Sequence, residues 1–66
     1  VSPEVTKLFR AIDRVEDMAD TEERISSRTA TAHREATALM LALWSELTAA
    51  QSRDAYRRLQ ALGTRL

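Results

Sequence analysis

The chain has 66 residues, ten Lys or Arg against ten Asp or Glu, no Cys, one Gly and one Pro. It is a single small domain, shorter than the roughly 70–80 residues at which one core comfortably stabilises a fold, and it has no disulfide or thiolate zinc site to help. A net charge of zero argues against a general binder of nucleic acid or membrane surfaces.

Gly and Pro fall far below the usual levels of about 7% and 5%. Good helix formers (Ala, Leu, Arg and Glu) dominate, so the sequence reads as all-α. The most apolar stretch, 36–44, is about half of the roughly 20 residues that span a bilayer, so no membrane partner is expected. The N-terminus lacks a basic segment leading into an apolar one, and a cytoplasmic protein is the expectation. The chain opens on Val1, which fits a removed initiator or a piece of a longer protein equally well.

The first helix, about 3–19, has a marked start. Ser2 is a good N-cap, Pro3 fits the first helical position, and Glu4 meets the positive end of the helix dipole. Val5, Leu8, Phe9, Ile12, Val15 and Ala19 then make one apolar stripe. The other face carries Lys7, Arg10, Asp13, Arg14 and Asp17, with Arg10–Asp13 and Arg14–Asp17 spaced for local ion pairs.

Near residue 20 the pattern breaks. Asp20 reads as an N-cap with Glu23 three positions on, so a second helix is expected over about 21–48, tightly hairpinned against the first. Its seam begins with small residues, Thr29, Ala32 and Ala36, and continues through Leu39, Leu43 and Leu47. From Ala36 to Trp44 it is apolar nearly all round, an arc wider than one flanking helix covers. That width points to a partner.

Thr48-Ala49-Ala50-Gln51 matches a capping box, with Ser52 and Asp54 as a second start. The second helix therefore either runs on or kinks near 48–52 into a third, about 50–62. Tyr56, Leu59, Leu62 and Leu66 continue the apolar stripe, Asp54 can reach Arg57 and Arg58, and Gly63 reads as a C-terminal stop. Charge is uneven: residues 1–23 carry net −4 and residues 51–66 net +3. The two ends should attract, within one chain or across a dimer.

Catalytic signatures are thin. His33-Arg34-Glu35 has the H-x-E spacing of zinc deaminases, but their P-C-x-x-C segment needs cysteines that this chain lacks. Ala30 breaks the Glu-x-x-His pattern of bundle di-iron sites, so His33 reads as a solvated helix-face histidine. Ser26, Ser27, Thr29 and Thr31 have no base nearby except His33 and no third group to orient it. No enzyme activity, cofactor or metal is expected.

The sequence reading is thus an all-α helical hairpin with a long second helix, associating into a homo-oligomeric, four-helix-type bundle. The expected function is a protein–protein interaction module or adaptor acting through Leu39, Met40, Leu41, Leu43, Trp44, Leu47, Tyr56 and Leu59. A homodimer is the favoured partner state, with another helical protein as the other class. The alternative is a small dimeric helix-turn-helix-like regulator contacting DNA through Arg53, Arg57 and Arg58.

Overall fold

The computed structural model describes residues 2–66. Three helices, α1 (Pro3–Asp20), α2 (Ser27–Ala42) and α3 (Ala49–Gly63), account for nearly all the regular structure, with one 3-10 turn at Trp44–Glu46 and no strand among the described residues. All three helices touch one another. Arg58 meets Asp13 and Glu16, while Arg65 meets Asp20, so α3 runs in the direction of α1. His33 of α2 meets Leu59 of α3, and α2 runs against both. The result is an up-down-up bundle.

The start of α1 follows the sequence. Ser2 Oγ accepts from the Glu4 amide at 3.3 Å and donates to the Glu4 carboxylate at 2.8 Å. Val5, Leu8, Ile12, Val15 and Ala19 are all buried, which is the expected stripe with Phe9 left half-buried at its edge.

The start of α2 differs from expectation. Asp20 stays inside α1 and pairs with Arg65, so it caps nothing. The N-cap is Ser26, whose Oγ accepts from the Thr29 amide at 3.2 Å. The Glu22 carboxylate accepts from the Ser26 amide, the Ser26 hydroxyl and the Thr29 hydroxyl. A carboxylate from before the cap thus does the work that a capping box gives to the residue three positions after it. Thr29 is wholly buried by this arrangement and remains fully hydrogen-bonded.

At its other end α2 stops at Ala42, six residues before the expected 48. No Gly or Pro ends it. The chain turns at Leu43, whose side chain is buried in the core, makes the 3-10 turn, and becomes extended at Leu47 and Thr48. The Thr48–Gln51 capping box then starts α3: the Gln51 amide donates to Thr48 Oγ1 at 3.1 Å, and the Thr48 amide to Gln51 Oε1 at 2.9 Å.

The radius of gyration is 11.5 Å, against about 11 Å for a compact chain of this length. One chain closes its own core. The apolar arc of α2 is covered from two sides: Ala36, Met40 and Leu43 pack with Leu8, Ile12 and Val15 of α1 and with Ala55, Leu59 and Leu62 of α3. The width of that arc reflects two neighbours within the chain.

Candidate interaction surfaces

The eight apolar residues expected at an interface divide by environment. Met40, Leu43 and Leu59 are buried in the intrachain core, which removes them from any surface, and Leu39 and Leu47 are half-buried against it. Leu41 (64% exposed), Trp44 (45%) and Tyr56 (52%) face solvent. Leu41 belongs to the last turn of α2 and Trp44 to the 3-10 turn, at one end of the bundle. Tyr56 is the middle residue of α3 and lines the cleft beside His33. Among the described residues Leu66 is the other exposed large apolar side chain, and it follows α3 at the opposite end.

The three arginines of the DNA alternative also divide. Arg58 is only 24% exposed: its Nε donates to Glu16 at 3.0 Å, and its Nη2 reaches both Glu16 and Asp13. Hydrogen bonding to Glu16 is the largest influence on its pKa and raises it; partial burial opposes this, and the bond to Asp13 adds to the rise, so its charge is fixed and met within the fold. Arg57 is exposed but donates to Asp54 at 3.0 Å. Only Arg53 has no carboxylate partner among the described residues. Two basic residues of the C-terminal segment, Arg58 and Arg65, thus meet carboxylates of α1 within the fold.

His33 is not the solvated side chain that the sequence implies. Its Nε2 lies 2.8 Å from the Leu59 carbonyl, tying α2 to α3. It lines a cleft of about 340 Å³ with Thr37, Met40, Tyr56 and Gly63. Its signal was absent from the sequence because the carbonyl partner lies 26 residues away.

A second concavity, of about 640 Å³, lies between α1 and α2. Lys7, Arg10 and Arg14 border it from α1 and Arg28 from α2, with Glu35 as its one acidic side chain. The sequence presents the three α1 cations as part of an ordinary solvated face. Their spacing of three and four, which places them on one flank of the helix, was the available clue.

Among the described residues no group of His, Cys, Asp and Glu is arranged to hold a metal ion, and no helix is long and apolar enough to cross a membrane. Comparison with protein-family models, curated proteins and solved structures finds no match.

Proposed function

We propose that the chain is a non-catalytic helical interaction module that pairs with a second copy of itself through the end of the bundle bearing Leu41 and Trp44. The observation that carries this reading is the exposure of those two side chains at the turn between α2 and α3. The chain buries a core that includes Met40 and Leu43 from the same segment, yet leaves a Leu and a Trp outside it at this end, with Tyr56 exposed further along α3. Trp and Tyr supply large contact area with a polar edge, and they are enriched among the residues that dominate binding energy. An end-to-end pair would bring the half-buried Leu47 into the same contact.

Sedimentation equilibrium tests it directly. Dimer is expected at about 100 μM, where a self-association worth about 5.5 kcal/mol is half formed. The double substitution Leu41→Glu with Trp44→Ala should return a monomer whose circular dichroism is unchanged, because neither side chain belongs to the buried core. A wild-type chain that stays monomeric at that concentration overturns the reading.

A further inference from the structure

Helix α1 is charged differently along its two flanks. The flank toward α3 carries Asp13, Glu16 and Asp20, which hold Arg58 and Arg65. The other carries Lys7, Arg10 and Arg14, and with Arg28 of α2 these rim the groove between the two helices. None of the four lies within ion-pair distance of a carboxylate among the described residues. Arg28 lends its field to Glu22, but that carboxylate is already bonded to Ser26 and Thr29. With Glu35 the only acid in the lining, a chain of zero net charge concentrates three excess positive charges here.

The floor is apolar. Ala11 and Val15 of α1 face Ala32, Ala36 and Leu39 of α2, and on each helix the residues follow at helical spacing. Two antiparallel helices with small side chains between them and cations along the rim form the seat that a further helix takes in a bundle. Val15 and Ala36 lie buried beneath; Ala11 and Ala32 allow close approach, and the half-buried Met18 and Leu39 offer apolar contact. Met18 of α1 extends the apolar lining, and Ser27 and Thr31 of α2 place two hydroxyls at its edge. An amphipathic helix with carboxylates beside its apolar stripe matches both the floor and the rim.

We propose that the α1–α2 groove docks an acidic amphipathic helix of a partner protein, its apolar face on Met18 and Leu39 and its carboxylates against Lys7, Arg10, Arg14 and Arg28. This surface contains neither Leu41 nor Trp44, so it stands or falls independently of self-association.

The probe is a synthetic helical peptide of about 18 residues, matching the roughly 27 Å of α1 at 1.5 Å per residue, with leucines at i, i+3, i+4 and i+7 and glutamates on both flanks. Its control carries lysines in place of the glutamates. In titrations followed by amide chemical shifts, the acidic peptide should move Ala11, Val15, Ala32 and Leu39, and the lysine peptide should not. Arg10→Glu with Arg14→Glu should weaken binding by about tenfold or more. Both side chains are exposed, so the variant should keep its fold. Arg53→Glu with Arg57→Glu should leave binding unchanged. Any of four results overturns the proposal: no binding of the acidic peptide, equal binding of the lysine peptide, shifts centred on Leu41 and Trp44, or binding of duplex DNA or phosphatidylserine vesicles but not of the peptide.

Discussion

Arg58 Nε donates to Glu16 Oε2 at 3.0 Å, joining α3 to α1 across 42 residues of sequence. Asp13 accepts from the same guanidinium, and Asp54, one turn earlier on α3, stands 3.6 Å from its Nη1. One planar fork thus meets three carboxylates on two helices, a geometry that a lysine ammonium does not reproduce. A second pair repeats the logic one level along the bundle. Arg65 donates to Asp20 at 2.9 Å and to the Ala19 carbonyl at 3.0 Å, placing a cation on the negative end of α1. These contacts fix α3 parallel to α1.

Removing the fork by Arg58→Ala should cost about 1–2 kcal/mol, the usual worth of charge-assisted hydrogen bonds discounted for partial exposure to water. In a domain of this size that lowers Tm by roughly 4–16 °C. Arg57→Ala, at a side chain 79% exposed and paired only to its own helix, should change stability by less than about 0.5 kcal/mol. Thermal denaturation of the two variants side by side checks the contrast, and equal losses would refute it.

Glu22 gives the fold an acid-sensitive joint. Its pKa is lowered from the ordinary 4.5, first by the hydrogen bond from the Ser26 amide and then by the Thr29 hydroxyl. A carboxyl whose folded value lies below its unfolded one contributes stability above the unfolded value and loses it as pH falls through the folded value. Glu22→Gln keeps an acceptor for the Ser26 amide but does not titrate. The wild-type chain should therefore exceed the Gln variant in Tm at neutral pH, and the gap should close as pH drops below 4.5. A gap independent of pH would sink the assignment.

Gly63 is the last residue of α3, and it does not use the freedom that glycine offers. No residue with positive φ occurs among the described residues, so Gly63 is not the left-handed stop that its position in the sequence implies. A Cβ built there would meet only the His33 ring, at 3.6 and 3.7 Å, which is ordinary contact. Gly63→Ala should stabilise the protein by about 0.5 kcal/mol, largely by restricting the unfolded chain. A lower melting temperature would show that the cleft beside His33 tolerates no added methyl.

What was legible in the sequence, and what was not, follows from the range of the interactions. Ser2-Pro3-Glu4 and Thr48-Gln51 could be read because a cap is a local motif, and the stripe from Val5 to Ala19 could be read because burial on one side imposes a helical period. Ser26 escaped because its supporting carboxylate, Glu22, lies before it. The end of α2 at Ala42 escaped because tertiary closure over Leu43 ends it, with no breaker residue. The attraction between an acidic start and a basic end was visible, but not which residues would meet. Arg58 claims Asp13, so the expected Arg10–Asp13 pair does not form, and Arg14–Asp17 is likewise absent from the ion pairs of the described residues. Arg10 and Arg14 are therefore left without an ion-pair partner among the described residues.

Leu43 and Trp44 are adjacent in sequence and opposite in environment, which separates folding from association in one experiment. Leu43 is 7% exposed, among Met40, Leu59 and the α1 core, so Leu43→Asp buries an unpaired carboxylate. That should cost more than about 3 kcal/mol, a large share of the few kcal/mol that a domain of this length holds, and the chain should unfold. Trp44→Ala leaves every buried core residue in place, so helicity should persist while the sedimentation profile moves toward monomer. Both sites were interchangeable as interface residues on sequence pattern alone; the turn of the chain at Leu43 points one inward and the other outward. A Trp44→Ala variant that unfolds as completely as Leu43→Asp would place the indole in the core and leave the exposed end without its anchor.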